Sequence, residues 1–79
     1  MSTVTLYVGR DCHLCERARE ELGPLQAELG FELVEVDVTG DDDLEQRYRE
    51  WLPVVEFDGE RVSVYRVEPD DLRQRLAAG

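Results

Sequence analysis

The sequence predicts an α/β fold in which helices cover both faces of a four-stranded mixed sheet, in the order βαβαββα. Three observations lead to this expectation. Short apolar runs alternate with segments of helical periodicity. The strand-helix-strand opening implies two parallel strands joined by a right-handed crossover, and a late Asp-Gly turn implies an antiparallel hairpin. A chain of 79 residues is long enough for one such domain, spanning residues 1–79.

The first half of the chain predicts a strand, a long helix and a second strand. Thr3 to Val8 has the apolar character of a largely buried strand. Gly23-Pro24 should kink the following helix or split it in two, and Gly30 suits its end. Phe31 to Val38 alternates apolar and acidic residues, as a second strand would. The expected apolar stripe of the helix consists of Leu14, Ala18, Leu22, Leu25 and Leu29.

A second, shorter helix is predicted from about Asp43 to Trp51, and Pro53 should stop it. Its inward residues are expected to be Leu44, Tyr48 and either Trp51 or Leu52. The acidic run Asp41-Asp42-Asp43 resembles a small cation site. It precedes an amphipathic segment, however, and is better explained as a helix N-cap with favourable charge in the first turn.

The last third of the chain predicts a hairpin followed by a helix. Val54 to Phe57 and Arg61 to Tyr65 are the expected strands. The intervening Asp58-Gly59 tolerates the positive φ angles that a two-residue turn requires. Glu68-Pro69-Asp70-Asp71 has proline and acidic residues where a helix starts, and the apolar stripe of that helix would be Leu72 and Leu76.

The only two cysteines of the chain form the motif Cys12-His13-Leu14-Cys15, between the first strand and the first helix. Unpaired backbone N–H groups and partial positive charge at a helix start favour a thiolate over a thiol. We therefore expect Cys12 to be the nucleophile. Cys15 follows about one helical turn later, close enough to resolve a mixed disulfide.

Two other interpretations of this motif remain open. A structural zinc ion normally has four protein ligands, whereas two cysteines with His13 between them would need carboxylates or a second chain. The cysteines could also be small buried hydrophobic residues. The position of the motif, after a strand and before a helix, favours a redox dithiol over both. We predict no metal site.

Charge and composition exclude several classes of partner. Nine basic residues against nineteen acidic ones give a formal net charge of -10. Such a charge repels phosphate backbones and anionic membrane surfaces, so neither nucleic acid nor a membrane is an expected partner. No stretch approaches the length of a membrane span, and the first residues show no cleavage signal, so we expect a cytoplasmic protein. Structural disulfides are rare in that compartment, which favours a reactive cysteine pair.

The order of the elements, the Cys12-His13-Leu14-Cys15 tetrad and the Leu52-Pro53-Val54 run that opens the hairpin resemble the thioredoxin superfamily, in its short glutaredoxin-like branch. The tetrad and the longer run Leu-Pro-Val-Val-Glu-Phe-Asp-Gly are similar to those of small bacterial glutaredoxin-like proteins. The likeness covers nearly the whole chain. It implies a thioredoxin-like (glutaredoxin-like) fold for a single domain.

The resemblance also implies roles for individual residues. Cys12 would match the attacking cysteine, and Cys15 the resolving one. Pro53 would match a cis-proline beside the dithiol, whose neighbouring backbone pairs with an extended substrate segment. Leu52, which precedes it, is bulkier than the threonine or valine common there. Glutathione-using members usually carry a basic residue three positions before the first cysteine, whereas Arg10 lies two positions before Cys12.

His13 has three open interpretations. As a cation it would stabilise the Cys12 thiolate, and as a neutral ring it could shuttle the proton of Cys15. The third interpretation is a solvated residue of the first helical turn with no part in catalysis.

We therefore expect a dithiol-disulfide oxidoreductase that reduces or exchanges disulfides in a protein or a small thiol. The expected catalytic residues are Cys12 and Cys15, and the expected substrate-binding residues are Arg10, His13, Leu52 and Pro53. The protein would act as a monomer without a tightly bound cofactor, and a reductase or a thiol such as glutathione would supply electrons. The alternative is a non-enzymatic module of the same fold that binds a metal, an iron-sulfur cluster or a partner protein.

Overall fold

The computed structural model describes residues 2–78. Three helices and four strands follow one another in the predicted order. They are β1 (Thr3–Val8), α1 (His13–Leu29), β2 (Glu32–Asp37), α2 (Asp42–Tyr48), β3 (Val54–Phe57), β4 (Glu60–Val64) and α3 (Pro69–Ala78). A short 3₁₀ turn, Arg49–Trp51, follows α2 directly.

The four strands form one mixed sheet in the order β2-β1-β3-β4. β1 is parallel to β2 and antiparallel to β3, and β3 is antiparallel to β4. The parallel pairing places Val8 opposite Asp37, so β1 and β2 end at the same edge of the sheet. The predicted parallel pair and hairpin are both confirmed, and the loops that follow β1 and β2 lie side by side at this edge.

The pleat of the strands divides the apolar side chains between two cores. On one face, Val4, Leu6 and Val8 of β1 pack in a cluster with the apolar stripes of α1 and α3. On the other face, Tyr7 packs against a smaller cluster that contains Tyr48 of α2. Because each face buries its own set of side chains, the helices cover both sides of the sheet as predicted.

α1 does not split at Pro24 but runs without interruption to Leu29. The buried residues on either side of the proline, Leu22 and Leu25, belong to the same core, and this packing stabilises both halves of the helix. Gly30 ends the helix as predicted, with a φ of 77° and an amide that donates to the Gln26 carbonyl over 2.8 Å.

The apolar stripe of α1 differs from the prediction at its first position. Leu14 is 45% exposed, whereas Cys15 is only 2% exposed. The stripe continues through Ala18, Leu22 and Leu25, and its spacing of three and four residues includes position 15. Leu14 therefore falls one position away from the core face.

α2 is shorter than predicted, and its end explains a second difference. Trp51 lies in the 3₁₀ turn and is 42% exposed, so of the two residues that the sequence left open for the inward position it is not the one that packs inward. The tighter 3₁₀ winding rotates it away from the face that an α-helix would have given it. Leu52, the alternative, packs against both cores. At the other end, the Asp41 side chain accepts a hydrogen bond from the Leu44 amide over 3.1 Å, which confirms the predicted N-cap.

The hairpin and the last helix follow the predictions closely. Asp58 and Gly59 have φ angles of 50° and 88°, as the predicted two-residue turn requires. β4 begins one residue earlier than predicted and ends at Val64 because Tyr65 has a φ of 70°, which extended backbone does not have. α3 starts at Pro69 as expected. Within residues 2–78, no helix has both the length and the apolar composition to cross a membrane.

Candidate functional site

Cys12 is the N-cap residue of α1, directly after the turn that leaves β1. Its Sγ accepts a hydrogen bond from the Cys15 amide over 3.1 Å, and its carbonyl accepts one from the Glu16 amide over 3.2 Å. The sulfur thus lies where free N–H groups and the positive end of the helix dipole favour negative charge. This is the environment that the sequence predicted for a nucleophilic thiolate.

Cys12 and Cys15 form a disulfide whose Cα atoms are 5.2 Å apart, within the usual range for such bonds. The two sulfurs differ in their access to solvent. Cys15 belongs to the buried core on the face of α1, whereas Cys12 is half-buried and lies at the edge of that core. A reagent that approaches from solvent therefore meets Cys12 first.

The turn before Cys12 is held by contacts with the loop that follows β2. The Arg10 amide donates a hydrogen bond to Thr39 Oγ1 over 3.0 Å, and the Thr39 amide donates to Asp37 Oδ1 over 2.9 Å. Asp11 adopts a left-handed conformation with a φ of 55°, which aspartate tolerates better than most residues. These contacts fix the path of the backbone into the N-terminus of α1.

An open groove of about 530 Å³ runs beside Cys12. Three of the predicted site residues, Arg10, Cys12 and Leu52, meet in its lining. Sequence reasoning did not assign the other lining residues to the site, which are Gly9, Asp11, Val38, Thr39, Glu45 and Arg49. The sequence did contain a signal for the loops that carry them, because parallel strands end at a common edge of the sheet and ligands of α/β sheets bind at that edge.

Pro53 is not part of the lining of the groove. Its side chain is fully buried, and the peptide bond between Leu52 and Pro53 is cis, as the resemblance implied. The Pro53 carbonyl accepts a hydrogen bond from the Tyr65 amide over 2.8 Å. Leu52 is therefore the residue of this pair whose side chain reaches the groove.

His13 lies apart from the groove. Its side chain is 83% exposed, and its Nδ1 is 3.8 Å from Glu16 Oε2. Among the residues that the structure describes, it makes no hydrogen bond with either sulfur. Its placement corresponds to the solvated first-turn interpretation in geometry, and a role in proton transfer stays a prediction.

The charges around the groove are mixed although the protein as a whole is acidic. Arg10 and Arg49 line it together with Asp11 and Glu45. Within residues 2–78, neither arginine forms an ion pair with a carboxylate, whereas arginines elsewhere, such as Arg19 and Arg73, do. The groove thus offers two guanidinium groups to an incoming negative charge.

The described residues contain no buried polar or charged side chain. Within residues 2–78 there is also no group of three or more histidine, cysteine, aspartate or glutamate side chains arranged to hold a metal ion.

A second, apolar surface adjoins the cysteine motif. Leu14, which lies between the two cysteines in sequence, shares a cavity of about 260 Å³ with Tyr65. The rings of Tyr65 and Trp51 are 6.2 Å apart between centroids, and the Tyr65 hydroxyl donates to the Glu50 carbonyl over 3.0 Å. These three residues are the large hydrophobic side chains that remain exposed among the residues described.

The four-stranded mixed sheet, the covering helices and the Cys12–Cys15 pair at the start of α1 define a member of the thioredoxin superfamily. Solved thioredoxins share this fold. One from Fasciola hepatica superposes with a TM-score of 0.67 at 21% identity, over 98% of this chain and 79% of that chain. At that level of identity the likeness concerns the fold alone.

More narrowly, the chain belongs to the family described as glutaredoxin-like domain (DUF836), whose family profile matches residues 3–77. Protein Rv0508 of Mycobacterium tuberculosis, described as uncharacterized, is 35% identical over 94% of this chain and 81% of its own length. Two solved bacterial proteins are similar in structure. XcR50 of X. campestris has a TM-score of 0.74 at 32% identity, over 96% of this chain and 97% of that chain. Ne2328 of Nitrosomonas europaea has a TM-score of 0.80 at 25% identity, over 94% of this chain and 89% of that chain.

Proposed function

We propose that this protein is a thiol-disulfide oxidoreductase that uses Cys12 as its nucleophile and Cys15 as its resolving thiol. The observation that carries the proposal is the difference between the two sulfurs. Cys12 caps the helix at the edge of a groove, whereas Cys15 is buried behind it. In such a pair, the accessible Cys12 attacks the substrate first and the buried Cys15 reacts second.

The reaction begins with the reduced protein. The Cys12 thiolate attacks one sulfur of a substrate disulfide, forms a mixed disulfide and expels the other substrate sulfur as a thiolate, which takes up a proton. Cys15 then loses its proton and attacks the Cys12 sulfur, which releases the second substrate thiolate. Two electrons have moved to the substrate, and the protein is left with the Cys12–Cys15 disulfide. A reductase or two equivalents of a thiol return it to the dithiol.

The substrate we propose is a disulfide in a protein or in a small thiol. The apolar surface of Leu14, Trp51 and Tyr65 is suited to contact with a protein chain. The two groove arginines, Arg10 and Arg49, are suited to a carboxylate on the group that joins Cys12. We assign substrate contact to Arg10, Leu52 and the backbone at Pro53, and leave His13 as a candidate for proton exchange at the exposed rim.

Electrons would come from a reductase or from glutathione, and the protein would work without a bound cofactor, as a monomer in the cytoplasm. That compartment keeps exposed dithiols reduced, as a reducing cycle requires. The partners and the location are parts of the proposal that separate experiments can address.

The test is to trap the intermediate. Reduced Cys15→Ser protein is mixed with oxidised glutathione or with insulin, and the products are identified by mass spectrometry. We expect one mixed disulfide on Cys12, because the resolving thiol is missing. Cys12→Ser is the matched control and should form far less adduct, since the remaining sulfur is buried. The wild-type protein should release the substrate thiols and lose the mass of two hydrogen atoms.

Two results would contradict the proposal. Equal reactivity of the two single variants would show that the order of attack is not set by burial, and no adduct on either would remove the oxidoreductase function. Iron or zinc bound to the purified protein, measured by elemental analysis and visible absorption, would instead support the non-enzymatic module that binds a metal or a cluster.

A further inference from the structure

Gly9 lies directly after β1 and makes an unusually close approach to another segment. A Cβ atom added to Gly9 would lie 2.6 Å from Cδ1 of Leu52 and 4.0 Å from Oγ1 of Thr39. Carbon atoms in favourable contact are about 3.5–4.0 Å apart, so a side chain at position 9 would overlap that of Leu52. Gly9 is not among the glycines with a positive φ. The need for glycine therefore comes from the Leu52 side chain and not from the backbone conformation.

The Leu52 side chain lies next to three parts of the structure. It packs against the core beneath α1, it packs against the core beneath α2, and it lines the groove beside Cys12. Of these three surroundings, the groove is the one that is open. A methyl group at position 9 would push the end of the leucine toward the groove.

We propose that Gly9 is a positioning residue, which lets Leu52 lie against the floor of the groove and so keeps the approach to Cys12 open for a bulky disulfide. This inference rests on the proposed function, because it concerns which disulfides reach the Cys12 sulfur. It assigns Gly9 no contact with the substrate. Its effect passes through the position of the Leu52 side chain.

The inference predicts a selective defect in Gly9→Ala. The catalytic efficiency with insulin, whose disulfides are carried on a folded chain, should fall about tenfold, since small displacements near a reacting centre are costly. The efficiency with the small 2-hydroxyethyl disulfide should change by less than about twofold, because a small molecule needs less of the groove. The rate of Cys12 alkylation by iodoacetamide in the reduced protein should not change, since the helix N-cap is untouched.

A double-mutant cycle separates this role from a general loss of structure. For each variant, the catalytic efficiency with insulin is divided by the efficiency with 2-hydroxyethyl disulfide. This ratio is compared among Gly9→Ala, Leu52→Ala and the double variant. Leu52→Ala removes the atom that clashes, so adding Gly9→Ala to the Leu52→Ala variant should leave the ratio unchanged. Gly23→Ala is the matched control, because an added Cβ there meets nothing within 4 Å and the residue lies outside the groove.

If Gly9→Ala does not fold, the comparison of Leu52→Ala with the double variant decides the matter, because the clashing atom is absent from both and their ratios should be equal. Equal losses with both substrates in Gly9→Ala, or an effect of that substitution that persists without the Leu52 side chain, would overturn the inference while the wild-type protein remains active. A wild-type protein that reacts with neither disulfide would overturn the proposed function, and this inference with it.

Discussion

Two cysteines only three positions apart have different surroundings because the helix begins between them. Cys12 is the last residue with extended backbone, at φ -101° and ψ 103°, so its side chain turns back over the first helical turn. Cys15 lies inside the helix on the face that packs against the sheet. The start of α1 between the two residues therefore leaves the Cys12 sulfur accessible to solvent and buries the Cys15 sulfur.

At the same scale, a small polar cluster joins β1, α2 and β3 on the face opposite α1. The rings of Tyr7 and Tyr48 stack with centroids 4.2 Å apart. Both hydroxyls donate to the Glu56 carboxylate, over 3.3 Å from Tyr7 and 3.1 Å from Tyr48. Burial, followed by the hydrogen bond with Tyr48 and the negative charge of Glu56, raises the pKa of Tyr7 to about 12.

This shift predicts a loss of stability in alkali. The unfolded chain releases the Tyr7 proton near the ordinary tyrosine pKa of 10.0, whereas the folded protein holds it up to about 12. Between these values unfolding releases a proton, so the contribution of Tyr7 to the free energy of unfolding should be complete below pH 10 and decrease as the pH rises toward 12. Urea titrations across this range would measure the decrease.

Tyr7→Phe provides the control for the alkaline prediction. It removes the titrating hydroxyl and keeps the stacked ring, so the free energy of unfolding should depend less on pH between 10 and 12 than in the wild-type protein. Tyrosinate absorption should show one fewer group titrating at the high end of the range. If the free energy of unfolding decreased equally steeply with pH in both proteins, the alkaline loss of stability could not be assigned to Tyr7.

At the scale of elements, the N-cap of α2 bears on the groove as well as on the helix. α2 supplies Glu45, and the 3₁₀ turn that continues it supplies Arg49. The helix has only seven residues, too few to be stable without its caps and packing. The hydrogen bond from the Leu44 amide to Asp41 is therefore expected to hold one wall of the groove in place.

Replacement of Asp41 tests this expectation. Asp41→Ala should lower the free energy of unfolding by about 1 kcal/mol, the typical cost of losing an N-cap side chain. Urea denaturation would measure it. Asp43→Ala is the matched control, because it removes an acidic residue from the first turn that is not the cap, and it should cost less. Equal losses in the two variants would mean that charge, and not the cap, stabilises this helix.

Element boundaries were the part of the fold that the sequence predicted least well. Pro24 and Trp51 show the reason. Proline weakens a helix locally, yet packing of Leu22 and Leu25 in one core keeps α1 continuous. The pattern that left Trp51 or Leu52 open as the inward residue assumed that the α-helical period continued, whereas the chain tightens into a 3₁₀ turn. In both cases the outcome depends on contacts that lie outside the segment.

The negative charge of the whole molecule has the opposite sign to the two arginines that line its groove. The net charge of -10 acts at long range, whereas Arg10 and Arg49 act on a molecule already beside Cys12. Salt screens the long-range part over distances beyond about 10 Å at about 0.1 M. The encounter with a charged substrate and its later binding should therefore respond to salt in different ways.

For the reduced protein, we predict that the initial rate with cystamine, a disulfide with two positive charges, falls several-fold between about 0.02 and about 0.3 M NaCl. The rate with oxidised glutathione, which is anionic, should rise over the same range. Stopped-flow tryptophan fluorescence or product thiol release would follow both reactions. The neutral 2-hydroxyethyl disulfide is the control and should show little change. A glutathione rate that falls with salt would mean that the groove arginines dominate the encounter.

By itself, the sequence determined the features that depend on neighbours along the chain. The cap at Asp41, the turn at Asp58-Gly59 and the placement of Cys12 at a helix start each involve only a few consecutive residues, so their chemistry is legible in the order of the amino acids. The order of strands and helices followed from hydrophobic periodicity for the same reason.

Only the tertiary structure decided the shape of the groove and the access to it. The lining of the groove comes from separate segments that include Gly9, Thr39, Arg49 and Leu52, and their meeting depends on how the sheet aligns its strand ends. The close approach of Gly9 to Leu52 joins residues far apart in the chain, which no local pattern encodes. Distances between such residues are set by packing, and packing is a property of the whole fold.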